Sequence, residues 1–267
     1  MNAEQMLRIA QEAAIDAGQQ MLEIYATDFT VDYKQDESPL TQADQLSNQV
    51  IMSYLDPLNI PIISEENKQL SYEERKNWQC FWMVDPLDGT KEFIKKNGEF
   101  TVNIALIEKG IPSIGVIYVP VKKALFFGSE AGAFKMSGVE HISDIDLKEA
   151  VALKGRAPRP EVVVVASRSH LTPETENFID NIKSTKGVAQ IDTISAGSSL
   201  KICMVAEGKA DVYPRYAPTM EWDVAAGHGI CRAAGVKVLQ AGTNEELVYN
   251  KENLLNPWFV VGDRFGA

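Results

Sequence analysis

The run Asp85-Pro86-Leu87-Asp88-Gly89-Thr90 constrains this chain more than any other segment. It follows Phe81-Trp82-Met83-Val84, four apolar and aromatic residues that read as a buried strand. Asp and Pro favour turns, so the strand is expected to end at Asp85 and enter a tight turn. That turn would carry two carboxylates, the Leu87 carbonyl and the Thr90 hydroxyl, all hard oxygen donors of the kind Mg²⁺ prefers. Gly89 would let the backbone come close to a phosphate.

The flanking sequence supplies a frame for such a turn. Leu7, Ala10, Ala14, Ala17, Met21 and Ile24 recur at helical spacing, predicting an amphipathic helix over residues 4–26. Thr41 is a suitable cap for a second helix over 42–55. Pro61-Ile62-Ile63-Ser64 reads as a short strand ending at Glu65-Glu66, followed by a charged loop and helix over 67–79. Apolar runs at 101–107, 113–119 and 124–128, separated by Gly and Pro, predict a β-meander. Residues 137–160 look irregular, and Lys154–Pro160 reads as a linker. Beyond it, strands at 161–166, 188–193, 210–213 and 236–239 alternate with helices at 173–184, 198–207 and 222–234. The fold class is therefore α/β in the broad sense. An α+β N-terminal half (residues 1–157) and an α/β C-terminal half (158–267) would have a site between them.

A formal net charge of −11 argues against binding nucleic-acid polymers or anionic membranes through bulk charge. If the ligand is a phosphate ester, metal ions and local basic residues must overcome that repulsion. Cys80, Cys203 and Cys231 are scattered and odd in number, which fits a reducing compartment and neither a disulfide framework nor a zinc site. Met1-Asn2-Ala3-Glu4 lacks the basic-then-apolar pattern of an export signal, and no apolar run approaches a membrane span. A cytoplasmic location is expected, and no anchor is visible that would explain attachment to the inner face of a membrane.

Five carboxylates stand out together: Asp44, Glu65, Asp85, Asp88 and Asp223. If the strands ending at Glu65 and Asp85 are neighbours, their side chains converge on one or two cations. Asp223 opens the predicted helix Trp222–His228, whose N-terminus favours both an ionised carboxylate and a nearby phosphate. Taken singly, each has an ordinary reading: a strand exit, a loop edge, a helix cap, a first-turn acid. Their combination carries the argument. His228 reads as a satisfied helix histidine, because no Cys or His stands at ligand spacing from it.

In these motifs the chain resembles the inositol monophosphatase-like family of Mg²⁺-dependent, lithium-sensitive phosphatases. Asp85–Thr90 resembles its first signature, and Trp222-Asp223-Val224-Ala225-Ala226-Gly227 its second. Ser64-Glu65-Glu66 resembles its G-E-E element, with Ser where Gly is usual. Asp36–Asp44, Gly197-Ser198-Ser199-Leu200-Lys201, Ala206-Glu207-Gly208 and Tyr213-Pro214-Arg215 look like the bacterial 3′(2′),5′-bisphosphate nucleotidase branch. The resemblance implies a layered α-β-α-β-α sugar-phosphatase fold and two to three Mg²⁺ ions. Glu65, Asp85 and the Leu87 carbonyl would hold one ion, and Asp85, Asp88 and Asp223 the second. Asp44 would help hold a third, weaker one. Glu65 and Thr90 would orient the attacking water, and the Gly89 and Thr90 amides would cradle the scissile phosphate. Lys201 and Arg215 would meet the non-reacting phosphate, with Ser198 and His170 on that phosphate or the ribose. Ser199 reads as a helix-start residue and not a ligand.

The expected substrate is a small phosphonucleotide, adenosine 3′,5′-bisphosphate, with the sulfated nucleotide and the 2′,5′ isomer as further candidates. The expected assembly is a monomer or homodimer. The rivals are an inositol or other sugar phosphatase, which need not recognise a second phosphate, and a sugar bisphosphatase, which would. From other classes come an inactive phosphonucleotide sensor, which should lack a metal ligand, and a Ca²⁺-binding module, which lacks EF-hand spacing and has no use for Thr90.

Overall fold

Trp82 and Val84 pack into one hydrophobic layer while Phe81 and Met83 pack into another. A strand buried on both faces must be apolar at every position, which is why the run before Asp85 shows no alternation. In the computed structural model, which describes residues 1–33, 39–167 and 172–265, that strand lies within a seven-stranded sheet.

In chain order the elements are α1 (Ala3–Tyr25), β1 (Val31–Tyr33), β2 (Pro39–Thr41), α2 (Gln42–Leu55), β3 (Ile62–Ser64), α3 (Tyr72–Arg75), β4 (Cys80–Asp88) and α4 (Thr90–Ile94). The meander follows as β5 (Thr101–Glu108), β6 (Ile111–Val119), β7 (Ala124–Ser129), β8 (Gly132–Ser137) and β9 (Val151–Leu153). Then come β10 (Glu161–Ser167), α5 (Pro173–Lys183), β11 (Gln190–Ala196), α6 (Leu200–Ala206), β12 (Tyr213–Arg215), α7 (Glu221–Ala233), β13 (Val238–Gln240) and β14 (Phe259–Val261). Strands β3 to β9 form the large sheet in sequence order, with β3 parallel to β4 and every later pair antiparallel. Strands β10 and β11 pair in parallel, and a bridge from Val164 to Val212 links them to the β12-β14-β13 sheet.

Three apolar clusters glue these sheets into five layers, α-β-α-β-α. Ala10, Ala14, Ile15 and Met21 of α1 pack with Trp82, Ile104 and Tyr118 on one face of the large sheet. On its other face, α6 and α7 fill the space up to the second sheet, with Ile202, Val224 and Ile230 between Met83 and Phe259. The outer face of the second sheet, through Val162, Val164 and Val260, is covered by Phe178 and Ile182 of α5. No helix among the described residues is long and apolar enough to cross a membrane.

Several boundaries differ from the sequence reading. The strand expected to end at Asp85 continues to Asp88, and the tight turn is instead a bulge. Asp85 pairs with Asn103 and Asp88 with Thr101, so β4 spends one extra residue there. Pro86 cannot join the ladder. Its carbonyl accepts the Ser47 hydroxyl at 2.7 Å, and the Leu87 amide turns back to Asp85 Oδ1 at 3.1 Å. Strands β8, β9 and β14 were not anticipated, and β9 lies inside the segment read as irregular. Three residues such as Val151-Ala152-Leu153 are too short to show a period. Helix α6 starts at Leu200 and not Ser198, because Ser198 sits at φ 49° outside the helical region. Strand β11 begins and ends a little later than expected, and β12 is Tyr213–Arg215 where 210–213 was expected.

Helix α7 lies close against the large sheet because glycines meet there. A side chain at Gly115 of β6 would place Cβ 2.1 Å from the Ala226 carbonyl of α7. Gly115→Ala is therefore expected to destabilise the fold by about 1–3 kcal/mol through overpacking against backbone. Equilibrium urea denaturation checks this: an unchanged midpoint would mean that α7 can retreat from the sheet freely.

Candidate active site

The parallel pairing of β3 with β4 sets Ser64 opposite Val84, and the Glu65 amide donates to the Val84 carbonyl at 3.2 Å. Glu65 therefore leaves its strand beside Asp85. Asp223 arrives from the first turn of α7, where its Oδ2 accepts the Met220 amide at 2.9 Å. One carboxylate oxygen each from Glu65, Asp85 and Asp223 lie within 4.8 Å of one another. Asp85 is 1% exposed. Burial pushes its carboxyl well above the usual carboxylate range, and the charges of Glu65, Asp88, Asp223 and Asp44 push it further. Burial, with Asp88 next, pushes Asp223 up to about 8.

A second group surrounds Asp44. Thr41 caps α2, and Asp44, at the third helical position, takes the Thr41 amide and hydroxyl on Oδ2, both at 2.7 Å. Its Oδ1 accepts the Thr90 hydroxyl at 3.0 Å. Thr90 begins α4, with Gly89 as its cap at φ 95°. A Cβ at Gly89 would stand 2.0 Å from Ser198 Oγ, so glycine is required here by both backbone and space. Leu87 packs its side chain into the α1-side core, which leaves its carbonyl, and not its side chain, as the donor of interest.

Asp88 is held by residues that the sequence reading missed. Its Oδ2 accepts Ser199 Oγ at 2.6 Å and Asn103 Nδ2 at 3.4 Å, while Asn103 also donates to Ser199 Oγ at 2.7 Å. Ser199 is thus the residue before α6, as expected, and also a clamp on Asp88. The available signal was Asn103 itself, a fully buried amide inside an otherwise apolar strand. Ser198 was expected to reach a phosphate or ribose, and here it contacts the backbone. Its hydroxyl lies 2.9 Å from the Asp88 carbonyl and 2.6 Å from the Glu99 carbonyl, so it ties the β4 end to the turn before α6. His170, and the Asp36–Ser38 part of the early motif, fall outside the described residues. His228 is satisfied as expected, between Tyr249 and Glu246 at 3.0 Å each.

Beside the carboxylates opens a cavity of about 400 Å³. Its lining includes Asp88 and Asp223 together with Lys201, Tyr213 and Arg215. Lys201 is 7% exposed and donates to the Ser198 and Ala196 carbonyls at 2.6 and 3.3 Å. Burial pushes its ammonium down to about 8, against the upward pull of Asp88. Arg215 donates one guanidinium nitrogen to the Pro218 carbonyl at 2.8 Å, while its Nε is buried with no partner. A buried, unmatched N–H in a cationic wall suits an incoming anion.

The donor set fits a divalent cation. Its carboxylate oxygens come from the buried Asp85 and the part-buried Glu65 and Asp223, and burial together with mutual repulsion raises Asp85 and Asp223. A hard cation relieves that repulsion, and the adjoining cavity, with Lys201 and Arg215 in its lining, accommodates an anionic ester. A carboxylate cluster opening on such a cavity defines the metal-dependent phosphoesterase class of site. The chain belongs to the inositol monophosphatase family, whose sequence profile matches residues 2–259. It is 44% identical over 262 residues to the 3′(2′),5′-bisphosphate nucleotidase CysQ of Salmonella typhimurium, covering 96% of this chain and 99% of that one. It is 43% identical over 256 residues to the protein of the same name in Escherichia coli O157:H7, covering 94% and 96%. The crystal structure of CysQ from Bacteroides thetaiotaomicron matches with a TM-score of 0.87 at 50% identity, covering 98% of each chain.

The raised carboxyls give a pH dependence with a definite sign. Asp223 moves from 3.8 to about 8 on folding, so in that window the folded state holds a proton that the unfolded chain releases. The stability this proton supplies is complete below about pH 4 and is lost as pH rises through about 8; Asp85 shifts in the same direction. The melting temperature of metal-free protein should therefore fall between pH 5 and pH 8.5, and Mg²⁺ should raise it more at the upper pH. A flat profile with no Mg²⁺ effect would separate these carboxylates from cation binding.

Proposed function

We propose that this protein is a Mg²⁺-dependent 3′(2′),5′-bisphosphate nucleotidase that converts adenosine 3′,5′-bisphosphate to AMP and phosphate. The observation that supports the reading is one cavity lined both by Asp88 and Asp223 of the carboxylate group and by Lys201 and Arg215. An ester with a single phosphate has no use for the added cations. All five acidic residues are present, which weighs against an inactive sensor. The names of the most similar relatives agree with the nucleotidase reading.

Glu65, Asp85 and the Leu87 carbonyl would hold one Mg²⁺; Asp85, Asp88 and Asp223 a second; and Asp44 part of a third, weaker site. Bound there, Mg²⁺ supplies charge neutralisation of the ester and a lowered pKa for water. The chain's own groups do the rest. The Thr90 hydroxyl gives its hydrogen to Asp44 Oδ1, so its lone pairs are left to accept a hydrogen from the attacking water. Glu65 offers the second acceptor and fixes the direction of attack. The Gly89 and Thr90 amides, at the start of α4, donate to the phosphoryl oxygens. Ser199 and Asn103 keep Asp88 in a single rotamer. The new bond joins the water oxygen to phosphorus, the bond to the ribose 3′ oxygen breaks, and that oxygen takes a proton from solvent in the site. The phosphate that does not react rests on Lys201 and Arg215.

The test is phosphate release, with Mg²⁺ present, from adenosine 3′,5′-bisphosphate, inositol 1-phosphate and fructose 1,6-bisphosphate. A kcat/KM advantage of about 100-fold for the nucleotide, roughly 2.7 kcal/mol, is expected. A preference for a sugar or inositol phosphate would keep the carboxylate assignments and overturn those of Lys201 and Arg215. Lys201→Ala should raise KM at least about tenfold for the bisphosphate and far less for adenosine 3′-monophosphate, which lacks the second charge. An equal rise for both would place Lys201 outside the substrate pocket.

A further inference from the structure

The cavity has a second cationic wall. Lys91 lies in α4 and Lys95 follows its last turn, with the Lys95 amide bonded to the Lys91 carbonyl at 3.1 Å. Four residues apart on one helical turn, the two side chains rise from the same face. Both line the cavity that Lys201 and Arg215 also line. Phe93, between them in sequence, points the other way into the α1-side core and fixes the orientation of the turn.

Two features set these lysines apart from an ordinary solvated pair. The chain carries a charge of −11, and Glu92 and Glu99 share the same cavity. Even so, neither Lys91 nor Lys95 forms an ion pair or a side-chain hydrogen bond among the described residues. Glu99 is engaged elsewhere, accepting the Gly197 amide at 2.8 Å. The other cations of the cavity, in contrast, are anchored to carbonyls, Lys201 at Ser198 and Arg215 at Pro218. The anchored wall is preset for one compact phosphate. The unpaired wall has reach, charge and no internal partner.

We propose that Lys91 and Lys95 are specificity-determining residues that read an acidic group attached beyond the non-reacting phosphate. The inference rests on the nucleotidase reading above. In that reading Lys201 and Arg215 match the two charges of a terminal 5′-phosphate. A nucleotide whose 5′-phosphate is extended by a sulfonate or a further phosphate carries charge past that subsite, into the space α4 borders. A nucleotide ending at the 5′-phosphate leaves Lys91 and Lys95 facing solvent. The pair therefore sets the ratio of activities between extended and unextended substrates and not the chemistry at the 3′-phosphate.

The experiment measures kcat/KM of wild type for adenosine 3′,5′-bisphosphate and for its 5′-phosphosulfate counterpart, then repeats both with the Lys91→Ala/Lys95→Ala variant. These two substrates carry similar total charge, so their ratio reports where the charge stands and not how much there is. The alanine pair should lower the phosphosulfate-to-bisphosphate ratio about fivefold to tenfold, mainly through KM. Lys91→Arg/Lys95→Arg should retain most of the ratio, as a charge effect requires and a packing effect does not. An unchanged ratio with both substrates turned over overturns the role of α4 and leaves the nucleotidase reading standing. Equal losses on both substrates also overturn it, by reducing the pair to general attraction. Absence of turnover of either nucleotide by wild type overturns the underlying reading and this inference with it.

Discussion

Mutual repulsion among buried carboxylates is the constraint around which the rest of the structure is arranged. Asp85 sits in the interior with Glu65, Asp88, Asp223 and Asp44 acting on it, and isolated burial of such charges costs far more than any one contact returns. The fold tolerates the cluster because each member is pinned by an independent element. A parallel strand pair aligns Glu65 with Asp85. The bulge at Pro86 shifts the register by one residue and sets Asp88 opposite Thr101. The first turn of α7 holds Asp223 through the Met220 amide, and the capping box of α2 holds Asp44. With a proton or a cation to offset the repulsion, this geometry persists without rearrangement, which is the preorganisation that phosphoryl chemistry needs.

Helix α7 links that requirement to the global fold. It contributes Asp223 to the site, closes on the large sheet through Gly115 and Gly229, and packs on α6 through Gly227 and Ile202. Any shift in α7 therefore moves one metal-side carboxylate and the helix before which Ser199 stands. The same middle layer supplies both Asp223 and Lys201 to the lining of the cavity.

Regular elements with strong periodicity or unmistakable caps were readable in advance. Residues 42–55 capped by Thr41 form α2 as expected, and the double-sided apolar runs form β4 to β7. Short strands were not readable: β8, β9 and β14 are defined by the neighbours they pair with and not by their own pattern. Much of the candidate site was legible as residue types, but several partnerships were not. Ser198 was read as a ligand, and its contacts with two carbonyls were not foreseen, because they follow from a positive φ that aims its hydroxyl back at the β4 end. Ser199 was read only as a helix-start residue, because its partner Asp88 lies more than 100 residues away in the chain. Lys91 and Lys95 reach the cavity lining only through α4.

The sequence by itself determined the chemistry. The order and types of Asp44, Glu65, Asp85, Asp88, Thr90 and Asp223, with Gly89 between, specify oxygen donors and a close backbone approach, because ligand preference and φ freedom are properties of the residues themselves. Tertiary structure alone decided which donors meet, that Thr90 gives its hydrogen to Asp44, and that Asp88 is clamped by Ser199. It also decided that the cations of two distant segments line one cavity. Distances between groups far apart in the chain are set by sheet register and helix packing, which no local pattern encodes.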